Sequence, residues 1–393
     1  MTKNFDYVIV GGGMTADSAV RGIRELDKQG SIAVVSNEKN PPYNRPPLSK
    51  KLWTGKPLDS IWRHTADLGA QIVLNTTMTS GDPLTKVLVD ANGEEYTYKK
   101  LLLATGGFAR PLPAAPEGII YFRTLEDYKQ VRSLADRKSS FIIIGGGFIG
   151  SEIAAALAMN GCKVTMVFPD SGIGAKIYPA ALSHFLNQYF ADKGVSLLPG
   201  ERVQSITRQA NVFSVTTQSG KSVSAEAVIA GIGLELNLGL AHALKLQIEN
   251  GIVVNEYLQT SVADIYSAGD VANAYNSALG TRRRVEHEDN ANTMGSIAGK
   301  NMAGAKELFD YLPYFYTDLF DLGYEAVGEF GAAMQVVEDW QEPFRKGVLY
   351  YLKDDRVRGV LLWNTWGQVA AARTLIAEPK KYAANELIGK IHD

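Results

Sequence analysis

Two stretches of the chain combine residue types that few chemistries need together. YVIVGGGMTA, Tyr7 to Ala16, and FIIIGGGFIGSE, Phe141 to Glu152, each run an apolar segment into closely spaced glycines and then into a helical pattern. Strand, tight turn and helix start, in that order, open a βαβ unit. The helix N-terminus offers free amide N–H groups and the positive end of its dipole. Glycine lets the backbone come close to a pyrophosphate. One such fingerprint is weak; two on one chain, each entered from an apolar strand, point to two dinucleotides brought together. The usual pairing is a flavin with a nicotinamide, in which the cofactors do the chemistry and the protein binds, orients and tunes them.

The residues after each fingerprint fit this reading. SIAVVSNE ends at Glu38 and CKVTMVFPD at Asp170, each about 20 residues past its glycines, where such folds place the acid that hydrogen-bonds a ribose diol. An acid at Asp170 favours NADH over NADPH, although Lys176 lies close by. The loop PPYNRPPLSKK carries Pro41, Pro42, Pro46 and Pro47, which should keep it out of helix and sheet and stiff enough to aim Arg45 and Lys50. The single cysteine, Cys162, excludes an internal disulfide and a CxxC pair, so the electron acceptor is not a dithiol of this chain.

The 393 residues, 46% hydrophobic and 21% charged, suffice for two or three domains, and a net charge of −2 gives no sign of nucleic-acid binding. His64, His184, His242, His287 and His392 are scattered, so no metal site is expected. No apolar run reaches the ~20 residues of a membrane helix. The absence of cysteine pairs and an N-terminus that enters strand one directly predict a cytoplasmic location.

The elements that must position these residues can be read in order. A strand over 6–10 and a helix over 13–28 are followed by strand two and a hairpin turning at Asn92-Gly93, then LLLATGG. A proline- and glycine-rich crossing leads to a helix from YFRTLEDYKQVRSL, the second fingerprint, and a helix over 179–192. Strands over 203–231 follow. TSVADIYSAGDVA should deliver Asp270 to the start of a further helix, with a long helix over 287–303 after it. YEAVGEF, GVLYYL and VRGVLLWN read as antiparallel strands, the last two turning at Asp354-Asp355, and a helix over 366–377 closes the chain. The division expected is 1–112 and 243–311 for one nucleotide domain, 113–242 for the other, and 312–393 for a C-terminal α+β domain. Cys162, Trp363 and Trp366 are expected in the core. Arg282, Arg283 and Arg284 read as a solvated charge run or a basic patch, and Lys50, Lys51, Lys56 and Arg63 as a candidate docking face for an acidic acceptor.

The chain resembles the FAD-dependent NAD(P)H oxidoreductases that include ferredoxin and rubredoxin reductases and apoptosis-inducing factor. GGGMTA at 11–16, PYNRPPLSK at 42–50, ATGG at 104–107, GGGFIGSE at 145–152, SAGD at 267–270, RRRVEH at 282–287 and YFYTDL at 314–319 carry the likeness. FPDSGIGAKIYP at 168–179 and GYEAVG at 323–328 lie nearest to apoptosis-inducing factor and its bacterial relatives. The resemblance implies a glutathione-reductase-like α/β architecture of two Rossmann-like domains plus the C-terminal domain. It further implies that Gly11, Gly12, Gly13, Met14, Thr15 and Ala16 hold FAD, with Glu38 on its adenosine ribose. Arg45, Ala104, Thr105, Gly106, Arg123 and Asp270 also meet FAD, and Glu286 and His287 lie by the isoalloxazine.

For the nicotinamide cofactor it implies Gly145, Gly147, Phe148, Ile149, Gly150, Asp170, Lys176 and Gly233, with Tyr316 and Glu325 from the C-terminal domain. Lys50 would lie near flavin N5 and pair with Glu152. On the residues alone, Glu152 can equally be a first-turn carboxylate gaining from the helix dipole. The implied function is an NADH-dependent flavin reductase serving a ferredoxin, a rubredoxin or another non-thiol acceptor. One alternative is a redox-responsive flavoprotein like apoptosis-inducing factor, whose long-lived reduced-FAD/NAD charge-transfer complex controls dimerisation or partner binding. Another is a quinone or monodehydroascorbate reductase. A homodimer stays open, and no nucleic-acid partner is expected.

Overall fold

The computed structural model describes residues 2–391, so His392 lies outside the described residues. Contacts divide the chain into two units, 1–45 with 58–108 and 235–313, and 46–57 with 109–234 and 314–393.

The first unit is built on a sheet ordered Ala70–Val73, Ile32–Val35, Thr2–Val10, Glu95–Leu103, Val87–Asp90, Met78–Asp82, with Ile265–Ser267 also on Glu95–Leu103. The strands from Ala70–Val73 to Glu95–Leu103, and Ile265–Ser267, run parallel, and the two hairpin strands antiparallel. Alternate residues of one strand point to opposite faces. Tyr7, Ile9, Ile32 and Val34 therefore enter one core, and Val8, Val10, Ala33 and Val35 another. Burial on both faces explains why these strands read as unbroken apolar runs. The hairpin turns at Gly93 in the left-handed region, as Asn92-Gly93 predicts.

The helix Met14–Leu26, which starts at the first fingerprint, lies against the helix Glu288–Met302. A Cβ on Gly299 would sit 2.1 Å from the Ala19 carbonyl oxygen, and one on Gly295 2.4 Å from that of Thr15. The two backbones touch at these glycines. Gly299→Leu is expected to cost at least the ~1–3 kcal/mol of an overpacked core, measured by denaturant melting, since backbone cannot yield as a side chain does.

Asp270 is not at the start of a helix as the sequence pattern predicts. It sits in a single 3-10 turn, Gly269–Val271, between the strands Ile265–Ser267 and Ala272–Asn276. ANAY alternates as a strand and pairs with Gly251–Val253 and Thr281–Arg283, and that pairing overrides the helix-like composition.

In the second unit a parallel sheet is ordered Val195–Pro199, Val164–Phe168, Phe141–Ile144, Ala227–Ala230, Ile120–Tyr121. The helix expected from YFRTLEDYKQVRSL begins only at Leu125, because Tyr121 pairs into the sheet and a capping box sets the start: the Thr124 hydroxyl accepts from the Asp127 N–H and the Asp127 carboxylate accepts from the Thr124 N–H. Pro46–Leu48 and Lys51–Thr54 are single 3-10 turns rather than irregular loop; in the first, proline's fixed φ suits the opening position of a helical turn.

A C-terminal antiparallel sheet runs Tyr314–Leu319, Leu322–Gly328, Arg356–Trp363, Lys346–Lys353, Gln335–Glu342, backed by the helix Val369–Ala377. Asp354 and Asp355 both take positive φ, 53° and 62°, the geometry of a tight hairpin turn. Trp363 is fully buried, but Trp366 is 48% exposed, against the expectation of core. It follows the last strand and lies across the bare Gly323 backbone instead of under the sheet.

Candidate functional site

Each fingerprint folds into the same turn. Gly11 takes φ +129° and Gly145 φ +117°, and a Cβ on either would strike a neighbouring carbonyl oxygen, that of Ala104 at 2.1 Å or that of Gly231 at 2.3 Å. These glycines let two strand ends meet. Gly13 and Gly147 differ. A Cβ on Gly147 would meet nothing within 4 Å, and one on Gly13 only the tip of Arg45 at 3.9 Å. Both are helix N-caps without a side-chain cap, so no capping side chain takes up their first-turn amides. That open, donor-lined hollow fits a pyrophosphate at both turns. Gly13→Val is expected to lower FAD retention on gel filtration, and Gly147→Val to raise the KM for NADH several-fold with FAD retained.

Around the first turn, Glu38 and Arg45 form an ion pair, and the Tyr43 hydroxyl donates to Glu38 at 2.8 Å. A carboxylate has about four acceptor positions, so Glu38 keeps capacity for a ribose diol. Burial opposes the Arg45 charge, but Tyr43, Glu38 and Asp270 outweigh it and hold the guanidinium above its usual value. Thr15 backs onto Gly269, beside Asp270. Thr105 donates to the Asn237 carbonyl at 2.7 Å and the Gly106 carbonyl accepts from the Asn237 N–H at 3.0 Å, which fixes the turn after Ala104.

Two arginines of the run are tied to backbone, although Arg282 stays exposed. Arg282 donates to the carbonyls of Val254 and Asn273, and Arg284 to that of Asp270 while pairing with Glu286. His287 is the N-cap residue of Glu288–Met302, its carbonyl accepting from Ala291.

In the second unit, the Lys50 ammonium lies 2.7 Å from Glu152 Oε1, with their side chains only 8% and 3% exposed. The same oxygen accepts from the Thr317 hydroxyl, and Oε2 accepts from Ser49 at 2.6 Å. The Tyr316 ring centroid is 5.2 Å from the ammonium. The dipole alone does not account for Glu152, whose carboxylate is built into a buried ion pair and accepts from three side chains. Ser49 and Thr317 were not singled out in the sequence, although each adjoins a residue that was. Phe148 packs edge-on against Phe315, and Phe315 against Tyr324, whose hydroxyl accepts from Tyr178 at 2.8 Å. Burial pushes both tyrosines well above the usual phenol range.

The remaining expected residues are looser. Ile149 is exposed in the first helical turn. Asp170 and Lys176 form no ion pair with each other or with any other described residue. Gly233 takes φ +109° in open space, and its carbonyl accepts from Arg110 at 2.9 Å. Glu325 accepts from the Gly367 N–H at 3.0 Å and lies opposite Tyr316. The Arg123 N–H donates to Asp127 at 3.0 Å.

The proposed basic face shrinks. Lys50 is buried against Glu152. Arg63 is turned inward to Asp17 at 2.7 Å, a buried helix-first-turn carboxylate that also accepts from Arg21 and Thr65. Burial would raise Asp17, but these donors hold it below the usual range. Lys51 and Lys56 stay exposed.

Residues 5–295 match the profile of the pyridine nucleotide-disulphide oxidoreductases. The chain belongs to that family. Residues 331–378 match the mitochondrion-associated C-terminal domain of apoptosis-inducing factor. Mitochondrial apoptosis-inducing factor 1 of Dictyostelium discoideum is 32% identical over 95% of this chain and 78% of its own length. The rubredoxin-NAD(+) reductase of Pseudomonas putida is 33% identical over 82% of this chain and 86% of its own. Among solved structures, putidaredoxin reductase in its covalent complex with putidaredoxin superposes with a TM-score of 0.90 at 28% identity, covering 98% of this chain and 95% of that one. As a member of this family the protein is an FAD-dependent NAD(P)H oxidoreductase using FAD and NAD(H). Unlike the dithiol chemistry in the family's name, this chain has one cysteine, and burial raises its thiol. No helix among the described residues is long and apolar enough to cross a membrane.

Proposed function

We propose that the protein passes reducing equivalents from NADH, through bound FAD, to a small iron–sulfur protein or rubredoxin. The observation that carries this reading is the single buried Cys162, which leaves the chain no dithiol relay, so electrons must go to an external acceptor. Protein acceptors of this class are named for the Pseudomonas and putidaredoxin relatives. FAD, when bound, accepts a hydride from NADH and releases the electrons onward. Residues 1–112 and 243–311 hold FAD, 113–242 hold NADH, and 312–393 complete the nicotinamide side. In this reading Gly13 and Gly147 cradle the two pyrophosphates, and Glu38 and Asp170 take the adenosine riboses. Lys50 holds a fixed positive charge at the flavin N5 edge, kept in place by Glu152, Ser49 and Thr317. A positioned charge in a water-poor site stabilises developing negative charge far better than solvent does. Lys51 and Lys56 are the exposed cations available to an acidic acceptor.

The match of residues 331–378 favours a second reading, a slow, redox-responsive protein like apoptosis-inducing factor, in which turnover is incidental. Anaerobic NADH turnover with a panel of acceptors separates the two. Saturable turnover with a [2Fe–2S] ferredoxin or rubredoxin supports the reductase. Turnover only with monodehydroascorbate or a quinone replaces it with small-oxidant reduction. Absence of turnover, with persistent long-wavelength absorbance after NADH, supports the redox-responsive protein.

A further inference from the structure

The cluster around Lys50 holds one further ionisable group, Asp318. In the strand Tyr314–Leu319, two consecutive residues meet the ion pair. Thr317 donates to Glu152, and Tyr316 places its ring 5.2 Å from the Lys50 ammonium. Asp318 is next. Because strand residues alternate, it shares the face of Tyr316 rather than that of Thr317. It is half-buried, opposite Gly323, whose bare backbone is covered by the Trp366 ring rather than by a polar side chain. Among the described residues no donor hydrogen-bonds its carboxylate and no cation pairs with it. Its charged surroundings are Lys50 and Lys51 from the proline segment, Glu152 from the helix Phe148–Met159, and Glu325 beside Tyr316 on the neighbouring strand. Arg373 lies further along the same face, 5.7 Å from the Tyr314 ring.

We propose that Asp318 is a positioning residue that sets the net charge felt by Lys50, and that it takes up a proton when the site is reduced. Protonated, Asp318 leaves the Lys50–Glu152 pair balanced at zero; ionised, it makes the cluster anionic and competes with Glu152 for the ammonium. Burial pushes the Asp318 carboxyl up, the Lys50 charge opposes that, and Glu152 adds to it. When NADH delivers its hydride and extra negative charge remains beside Lys50, the carboxylate binds one proton from solvent and becomes the acid. The two electrons come from NADH and the proton from water, so nothing further is required. The inference rests on the reading that Lys50 adjoins the flavin.

The test is the flavin midpoint potential of the holoenzyme against pH, in wild type, Asp318→Asn, Asp318→Glu and Lys50→Met. The wild-type potential should rise toward acid pH with an extra slope above the ordinary carboxylate range. Asp318→Asn should lack that slope, lie above wild type at high pH and converge with it at low pH, and Asp318→Glu should restore it. If Asp318→Asn tracks wild type while Lys50→Met lowers the potential, the inference is overturned and the Lys50 reading stands. If Lys50→Met also changes nothing, the reading of Lys50 falls and takes the inference with it.

Thermal unfolding gives a readout independent of potential. The folded chain binds the Asp318 proton more tightly than the unfolded one, so that contribution is complete below the unfolded carboxylate value and lost as pH rises through the folded one. Asp318→Asn, neutral at every pH, should therefore gain Tm relative to wild type from acid to neutral pH. A pH-independent Tm difference overturns the proposal.

Discussion

A Lys50→Ala holoenzyme is expected to be reduced by NADH about 100-fold more slowly than wild type, the cost of removing one preorganised electrostatic donor from a water-poor site. The size of the effect follows from how rigidly the ammonium is held. The pair is almost wholly buried, and Glu152 is oriented by two hydroxyls as well as by Lys50. A lysine on a solvated loop would lose little on truncation, because water and neighbouring cations would replace it. Stopped-flow reduction under anaerobic conditions measures the effect, with NADH saturation checked separately so that weaker binding is not mistaken for slower transfer. A wild-type rate in Lys50→Ala would remove Lys50 from the chemistry altogether.

Removal of the other partner should act mainly on stability. Glu152→Ala leaves a buried ammonium without its hydrogen-bonded carboxylate, beside the Tyr316 ring and the half-buried Asp318, and deprives the Ser49 and Thr317 hydroxyls of their acceptor. An uncompensated buried charge costs about 3–5 kcal/mol. Glu152→Gln keeps an acceptor for one hydroxyl but not the charge, and should fall between alanine and wild type. Denaturant melting of the holoenzyme series gives the order. A loss below ~1 kcal/mol in Glu152→Ala would mean that water reaches Lys50 and that the pair behaves as a surface ion pair.

The nucleotide-binding scaffold was legible because its signal is local. Apolar runs entering glycines and the Asn92-Gly93 and Asp354-Asp355 turns each specify geometry within a few residues. The misses share a different cause. Asp270 was expected to begin a helix because ANAY has helix-like composition, but pairing with strands distant in sequence decided its conformation. Arg282 and Arg284 look like a charge run in one dimension, and only the fold shows them turned onto backbone carbonyls. Arg63 was grouped with exposed lysines, yet Asp17, far away in the chain, draws it inward. Trp366 is three residues past a fully buried tryptophan, and nothing local distinguishes them. The Lys50–Glu152 pair came from resemblance. The hydroxyls of Ser49 and Thr317 and the lone carboxylate of Asp318 needed the fold, because each becomes informative only beside a partner from another segment.

The most direct test of the account is a double-mixing experiment. Holoenzyme is reduced anaerobically with one equivalent of NADH and then mixed with an oxidised [2Fe–2S] ferredoxin or a rubredoxin, with flavin and acceptor absorbance followed together. Flavin reoxidation and acceptor reduction are expected to rise with the same rate constant, saturate with acceptor concentration, and slow as salt screens Lys51 and Lys56. Reduced enzyme whose spectrum persists unchanged in the presence of every protein acceptor would contradict the account.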